Sequence, residues 1–383
     1  MAASFEGESN FPEKHFSTEF VVIDSNTCDY NIFFQKYMKL NSPCIIKNVG
    51  LEWESSQRWV VGNKPHFSYL LEKYGNSHVT IYDCNKRHYN SQETRTSLLQ
   101  NYINNWNDMK EKLYYVKDWH LQNEFPEDKF YEVPVYFSSD WLNEFLCENK
   151  EDDYRFVYMG PVGTWTPFHA DVFTSYSWSI NICGQKKWIL LPPGEENKLK
   201  DGLGNLPYNL ERISLHDCNY FEIIQNTNEA IFVPSRWYHQ VWNMKDTISI
   251  NHNWINGCNI NSVRQSLENH LVSVEKEIED CQDMENFQEH CQVMLKASFG
   301  LDFSKFYQFL KYIALKRINF LERNLKIVSF GIHELEKNHA VFDLESIKST
   351  LELFLNNSAC QALNIGNDEN LLGMIEKCID NKD

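Results

Sequence analysis

Two histidines and one aspartate in the middle of the chain have the residue types and the spacing of a metal site. His169 and Asp171 are separated by one residue, and they form the only His-x-Asp or His-x-Glu sequence in a chain with 13 histidines. Residues i and i+2 of a β-strand point to the same side, so this pair directs an imidazole and a carboxylate into one space. Two histidines and one carboxylate on one face of an octahedron are typical of non-haem iron(II) centres with open positions. The pattern therefore requires one more histidine from another strand.

His239 is the predicted third ligand. It follows the turn at Pro234-Ser235 and lies 68 residues after Asp171. A barrel needs several strands before the chain returns to the same end, and this gap provides room for them. The spacing thus predicts that all three side chains meet at one mouth of a barrel.

Two other histidines are alternatives to His239 as the third ligand. His252 stands between Asn251 and Asn253, and if those asparagines point into the barrel, strand alternation directs His252 to the opposite side. His216 lies among residues that are typical of a loop. Both alternatives are therefore less consistent with the pattern than His239.

A pair of lysines at the start of an apolar strand could bind an anion. Lys186 and Lys187 follow Cys183-Gly184, and a regular strand would direct one of them inward and the other outward. An inward lysine with a nearby hydroxyl group would anchor the distal carboxylate of an α-keto acid, and Thr166 could supply that hydroxyl or simply form a turn. Spacing does not choose between the lysines, and two solvent-exposed lysines at a turn are the ordinary alternative.

The segment 155–254 must position these residues. It alternates between polar and apolar positions in short stretches, with turn signals at Gly160-Pro161, Pro192-Pro193-Gly194 and Pro234-Ser235. Evenly spaced short strands of this kind predict a mostly β fold with helices, built around a jelly-roll or cupin-like double-stranded β-helix.

The rest of the chain is predicted to support this barrel. Mixed strand and helix patterns precede it, and after Cys258 apolar residues recur with helical spacing. The predicted helices there cover 262–294, 303–325 and 343–355. The predicted organisation is a polar tail at 1–18, an N-terminal α/β region at 19–150, a catalytic barrel core at 151–258 and a C-terminal helical region at 259–383.

Composition and charge narrow the class of protein. Hydrophobic residues make up 42% of the 383 residues, which favours a packed core over disorder. The net charge of −17 disfavours direct nucleic-acid binding and suits a basic polypeptide partner. No apolar run approaches the length of a membrane span. The 11 cysteines include no Cys-x-x-Cys pair, and residues 1–11 lack a secretory signal, so we expect reduced thiols in the cytoplasm, with the nucleus as the alternative.

Three segments of the barrel region together resemble a jumonji-C domain, and in particular the small jumonji-C oxygenases. They are Thr-Pro-Phe-His-Ala-Asp at 166–171, Trp-Ser-Ile-Asn-Ile-Cys-Gly-Gln-Lys-Lys-Trp at 178–188 and Phe-Val-Pro-Ser-Arg-Trp-Tyr-His-Gln-Val at 232–241. The resemblance extends from about residue 20 to residue 254, and the helical tail fits more loosely. It implies a jumonji-C barrel that uses iron(II), 2-oxoglutarate and O₂.

The resemblance also assigns roles to individual residues. It makes the His169, Asp171 and His239 triad the iron ligands, requires no further catalytic residue, and selects Lys186 over Lys187. Ser179 stands where relatives often have asparagine, so its contribution is open. The cosubstrate-binding residues that it implies are Thr166, Ser179, Lys186, Asn251 and Asn253.

The implied reaction is hydroxylation of a protein side chain, with a lysine of the translation termination release factor as the expected target. One alternative is a histone lysine demethylase, although the chromatin-reading or zinc modules usual in such enzymes are missing here. A second alternative is a non-catalytic barrel that serves as an interaction scaffold. The C-terminal helices are expected to form a homodimer or a substrate platform, or simply to pack against the barrel.

Overall fold

Residues 19–89, 91–323, 325, 327–328, 330–366 and 370–380 are described in the structure, a computed structural model. The predicted polar tail at 1–18 lies outside these residues. Over the described ranges, no helix combines the length and the apolar character needed to cross a bilayer.

The N-terminal part of the chain consists of short helices and strands, and the strands of the barrel follow it. Its elements are β1 (Val22–Asp24), α1 (Tyr30–Phe33), β2 (Cys44–Lys47), α2 (Glu54–Arg58), β3 (Val60–Val61), β4 (Lys64–Pro65), α3 (Phe67–Tyr74), β5 (His78–His88), β6 (Ser91–Leu98), α4 (Leu99–Asn104), α5 (Trp106–Lys112), β7 (Tyr114–Trp119), α6 (Leu121–Glu124) and α7 (Trp141–Glu148). A π-helix at Phe34–Met38 continues α1. β5 and β6 form a long antiparallel hairpin.

Eight strands follow in the barrel region. They are β8 (Arg155–Gly160), β9 (Trp165–His169), β10 (Tyr176–Cys183), β11 (Lys186–Leu191), β12 (Phe221–Gln225), β13 (Ala230–Val233), β14 (Tyr238–Asn243) and β15 (Thr247–Trp254). One sheet has nine strands in the order β1-β2-β13-β10-β15-β8-β7-β5-β6, and the other has four in the order β12-β11-β14-β9. Sequential strands from β8 to β15 alternate between the two sheets, except that β11 and β12 are neighbours in the four-stranded sheet, and this arrangement confirms the predicted cupin-like architecture.

Buried apolar side chains fill the space between the two sheets. Ile231 and Val233 of the large sheet pack in one cluster with Trp188 and Val241 of the small sheet. On its other face, β11 is covered by the loop that leads to β12, where Ile189 packs in a separate buried cluster. Because β11 is covered on both faces, it is a continuous apolar run and not an alternating one.

The C-terminal region is helical, as its periodicity predicts. Its elements are α8 (Ile260–Glu277), α9 (Phe287–Phe299), α10 (Phe303–Glu322), β16 (Ile327–Val328), β17 (Glu334–Leu335), α11 (Lys337–Leu355), α12 (Ser358–Ala362) and α13 (Leu371–Asp380). The prediction of one helix over 262–294 is wrong, because α8 ends at Glu277 and α9 begins at Phe287. The intervening residues are acidic and largely exposed, so they offer no apolar face to a helix.

A buried ion-pair group connects the helical region to the rest of the chain. The Arg317 guanidinium of α10 donates to both carboxylate oxygens of Glu144 on α7, at 3.1 and 3.0 Å, and to Asp343 of α11 at 2.8 Å. All three residues are buried. Such a group positions the helices relative to one another, because breaking it would leave a buried charge without a partner.

Candidate metal centre

The structure brings His169, Asp171 and His239 together. Each offers one donor atom, and these atoms all lie within 4.8 Å of one another. His169 ends β9 and is the direct cross-strand partner of His239 on β14, with the ring centroids 4.4 Å apart. The backbone is still extended at Asp171, so strand alternation keeps its carboxylate on the same side as His169.

Backbone carbonyls orient both imidazoles in the same way. The Nδ1 atom of His169 lies 2.7 Å from the carbonyl oxygen of Pro167, and that of His239 lies 3.0 Å from the carbonyl oxygen of Trp237. A carbonyl oxygen only accepts, so Nδ1 carries a proton and Nε2 is the nitrogen left for a metal ion. Both rings therefore present the nitrogen that a metal ion needs.

The third side chain is also held in place. The Ser177 hydroxyl donates to Asp171 Oδ2 at 2.6 Å. Burial lowers the pKa of His169 to about 4, with a further contribution from the neighbouring His239. The ring is thus neutral at pH 7 and does not have to lose a proton before it binds a cation.

This donor set fits iron(II). Two imidazoles and one carboxylate, each fixed by a hydrogen bond, form the facial arrangement that leaves coordination positions open. Among the residues that the structure describes, no other group of three or more histidine, cysteine, aspartate or glutamate side chains could hold a metal ion.

Neither of the two alternative histidines belongs to the triad, although His252 lines the same cavity. His252 is fully buried, stacks on Trp178 with centroids 4.2 Å apart, and shares a 2.8 Å hydrogen bond with the Tyr131 hydroxyl. His216 lies in an exposed loop and contacts Asp217. Neither contributes an atom to the triad.

The triad lines a cavity of about 610 Å³ between the two sheets. All eight residues predicted for the metal and the cosubstrate line this cavity: Thr166, His169, Asp171, Ser179, Lys186, His239, Asn251 and Asn253. The predicted residues therefore surround one cavity, although their segments are far apart along the chain.

Comparison with known proteins identifies the family. The family model described as a cupin-like domain matches residues 30–260. The 2-oxoglutarate and iron-dependent oxygenase JMJD4 of Danio rerio is 42% identical over 372 residues, which cover 90% of this chain and 88% of that protein. The chain belongs to the cupin-like 2-oxoglutarate and iron-dependent oxygenases.

Two further relatives are similar over most of their length. The JMJD4 homologue of Drosophila melanogaster is 44% identical over 357 residues, covering 83% of this oxygenase and 84% of the relative. The arginine-specific demethylase JMJ20 of Arabidopsis thaliana is 35% identical over 328 residues, covering 78% and 71%. The predicted enzyme class and the predicted cofactors, iron(II), 2-oxoglutarate and O₂, are thereby confirmed.

Lys186 is the lysine that faces the cavity of this oxygenase. It is only 2% exposed, and its Nζ donates to Ser249 Oγ of the opposite sheet at 2.7 Å. Burial lowers its pKa to about 7. Lys187 faces the other way and pairs with Glu222 at 2.9 Å. Of the two lysines that spacing could not separate, only Lys186 is available to an anion inside the barrel.

Two hydroxyl groups in the cavity wall lack a partner. Neither Thr166 Oγ1 nor Ser179 Oγ makes a hydrogen bond within the described residues, although both oxygens are buried. Ser179 is the cross-strand partner of Asn251, whose amide contacts Ser249 at 3.2 Å. Buried hydroxyls are normally satisfied, so this wall has unused capacity for a polar ligand.

Sequence reasoning missed several residues of this wall. The sequence gives no indication of Ser177 and Tyr158, which line the cavity, or of Ser249, which contacts Lys186, because their positions depend on strand pairing. The sequence does indicate Lys117 and Asp118, since two adjacent charges interrupt the otherwise apolar strand 113–119. Both line the cavity.

Proposed function

We propose that this oxygenase hydroxylates a lysine side chain of a protein, and that its substrate is the translation termination release factor. The observation that carries the proposal is the lining of the cavity beside the triad. Aromatic rings of Tyr154, Phe156 and Tyr158 stand there next to the carboxylates of Asp118 and Asp152. Rings and carboxylates together suit a long apolar side chain with a cationic end.

In this proposal the triad binds iron(II), and the distal carboxylate of 2-oxoglutarate pairs with Lys186 and Thr166. A buried ammonium without a carboxylate partner gains more from an anion than an exposed one does. Iron(II) with bound 2-oxoglutarate and O₂ supplies the oxidising power for inserting oxygen into a C–H bond, while 2-oxoglutarate becomes succinate and CO₂. The protein contributes the orientation of the reactants and the exclusion of water.

The charge of the whole chain is consistent with a basic substrate. At −17 it attracts a lysine-rich segment over long range and repels a nucleic acid. Cytoplasmic location belongs to the same proposal, since the release factor acts there.

A second candidate function is oxidative demethylation. The Arabidopsis relative is named an arginine-specific demethylase, so the same barrel is associated there with a methylated cationic side chain. The two functions differ in their products, because hydroxylation adds one oxygen atom whereas demethylation removes a methyl group and releases formaldehyde.

The test is turnover with purified release factor. We expect the wild-type protein, supplied with iron(II), 2-oxoglutarate and O₂, to add the mass of one oxygen atom to a release-factor lysine and to form succinate in equal amount. The Asp171→Ala variant should do neither. A release factor whose mass does not change would refute the proposed substrate. Formaldehyde from a methylated lysine or arginine peptide, with no oxygen retained, would favour the second candidate.

A further inference from the structure

A carboxylate outside the proposed metal and cosubstrate groups lies in the same cavity. Asp118 is partly exposed there and shares the cavity with the triad and with Lys186. It also lines a neighbouring recess of about 290 Å³, together with His78 and Glu124. Asp118 therefore stands between the catalytic cavity and a second depression that a polypeptide could follow.

A β-bulge turns Asp118 toward this cavity. The pairing of β7 with β8 shifts register between Val116 and Trp119, so that β7 has one residue more than β8 in this interval. Asp118 has a φ of 53°, in the left-handed region that aspartate and asparagine tolerate better than most residues. In a regular strand Lys117 and Asp118 would point to opposite faces, but with the bulge both line the cavity.

Two tyrosines hold the carboxylate in one orientation. The Tyr158 hydroxyl donates to Asp118 Oδ1 at 2.8 Å, and the Tyr82 hydroxyl donates to Oδ2. A carboxylate can accept about four hydrogen bonds, so each oxygen retains capacity for a ligand. The carboxylate is therefore held in one orientation and can still accept hydrogen bonds from a ligand.

The charge of Asp118 is not neutralised by a close partner. Within the described ranges, no lysine, arginine or histidine nitrogen lies within 4.0 Å of its carboxylate oxygens. The adjacent Lys117 directs its ammonium to Gln92 Oε1 at 2.8 Å. Asp153 in the same cavity differs, because it is paired with Arg155. Asp118 thus offers a fixed negative charge to a ligand.

Aromatic rings connect Asp118 with the cosubstrate end of the cavity. The Tyr158 ring centroid lies 5.8 Å from Lys186 Nζ, while the hydroxyl of the same tyrosine reaches Asp118. Phe156 and Tyr115 flank this ring at centroid distances of 6.3 and 5.9 Å. A methylene chain that packs along these rings would end at the carboxylate.

We propose that Asp118 binds the cationic end of the substrate side chain that the oxygenase oxidises, and that it selects lysine over a neutral side chain with the same carbon chain. This inference rests on the proposed function, because it names the residue that recognises the proposed lysine. Tyr82 and Tyr158 act as positioning residues, since they touch the carboxylate and not the substrate charge.

The Asp118→Asn variant tests the proposal with little change in shape. Asparagine tolerates a positive φ, so the bulge is expected to persist. Two versions of one release-factor peptide serve as ligands, one with the target lysine and one with norleucine in its place. Binding to the anaerobic enzyme loaded with iron(II) and 2-oxoglutarate is measured by fluorescence anisotropy, because turnover does not occur without O₂.

Wild-type enzyme should bind the lysine peptide roughly 10- to 100-fold more tightly than the norleucine peptide, as expected for a hydrogen bond between charged groups. In Asp118→Asn this preference should fall below about threefold, with the affinity for 2-oxoglutarate unchanged. Asp217→Asn, which removes an exposed loop carboxylate, is the matched control and should keep the full preference. A preference that survives in Asp118→Asn, or a loss of 2-oxoglutarate affinity in its place, would overturn the proposal.

Two arms keep the result interpretable. If Asp118→Asn does not fold, the second variant is Tyr82→Phe, which removes one of the two hydrogen bonds to the carboxylate. It should reduce the lysine preference by a smaller factor, and an unchanged preference counts against Asp118.

If wild-type enzyme does not act on the release factor, the proposed substrate fails. The role of Asp118 is then tested with two small ligands, Nα-acetyl-lysine amide and Nα-acetyl-norleucine amide. Binding of each is measured by the change that it causes in the visible absorption of the enzyme loaded with iron(II) and 2-oxoglutarate.

Discussion

His169 and His239 face each other across an antiparallel strand pair, and each directs Nδ1 to the carbonyl oxygen two residues before it. The same local device thus fixes the tautomer of both rings. Because the hydrogen bonds come from the backbone, side-chain substitution at Pro167 or Trp237 does not remove them directly. The geometry of the centre is consequently set by the strand pairing itself.

Removing the carboxylate ligand should abolish turnover. We expect Asp171→Ala to lose iron(II) binding and 2-oxoglutarate conversion while its melting temperature stays near that of the metal-free wild type, because Asp171 is not part of the apolar core. His216→Ala, which changes an exposed histidine outside the cavity, is the control and should retain activity. Continued succinate formation by Asp171→Ala would show that the ligand assignment is wrong.

Loss of the hydrogen bond to Asp171 should weaken metal binding without removing a ligand. Ser177→Ala deletes the hydroxyl that donates to Asp171 Oδ2, and such losses cost roughly 10- to 100-fold in metal affinity. Competition between the protein and a chelator for iron(II) measures the change. Ser214→Ala, in an exposed loop, should leave the affinity as it is; an equal effect of both substitutions would contradict the role of Ser177.

The affinity for 2-oxoglutarate should fall as pH rises above about 7. Burial lowers the pKa of Lys186 to about 7, and the anionic cosubstrate binds the charged form. The dissociation constant should increase by up to roughly tenfold per pH unit until the pKa of the lysine in the complex is reached. Anaerobic titration at several pH values measures this slope. A dissociation constant independent of pH between 7 and 9 would contradict it.

The stability of the protein without metal and cosubstrate should increase with pH, whereas the affinity for 2-oxoglutarate decreases. Between the folded pKa of about 7 and the unfolded value of about 10.4, the unfolded chain binds more protons at Lys186. The free energy of unfolding contributed by this residue therefore rises with pH over that range. Denaturant titrations should show this slope in wild type and a smaller one in Lys186→Met; identical slopes would refute it.

The buried arginine of α10 should be important for stability. Arg317→Met removes the guanidinium that Asp343 contacts at 2.8 Å, whereas Glu144 keeps Lys316 at 2.6 Å. Breaking a buried ion pair in this way costs about 3–5 kcal/mol in comparable cases. Denaturant unfolding measures the loss. Lys348→Met, which removes an exposed ion pair with Glu376, should have little effect. Similar losses of unfolding free energy in the two variants would show that the buried ion pairs contribute no more to stability than the exposed one.

The sequence predicts the triad and the barrel because both depend on short-range rules. Alternation places His169 and Asp171 on one side, and turn residues mark the strand ends. The choice between Lys186 and Lys187 could not be made this way, since β11 is covered on both faces and offers no alternation to read. The family resemblance made that choice, and the burial of Lys186 agrees with it.

Other features depend on contacts that no local pattern records. The β5–β6 hairpin is largely polar and exposed beyond Asp83, so apolar alternation does not reveal it. The bulge at Asp118 exists only through the pairing of β7 with β8. The domain boundaries, the homodimer through the C-terminal helices and the cytoplasmic location stay predictions.

β9 is the edge strand of the four-stranded sheet, with β14 as its one neighbour in that sheet. A metal ion held by His169 and His239 would cross-link these two strands at their open end. We expect the backbone amides of β9 to exchange with solvent deuterium more slowly when metal is bound, and the strand to fray first when it is removed. In a cell with little available iron, that fraying would expose the empty enzyme to proteases sooner than the loaded one.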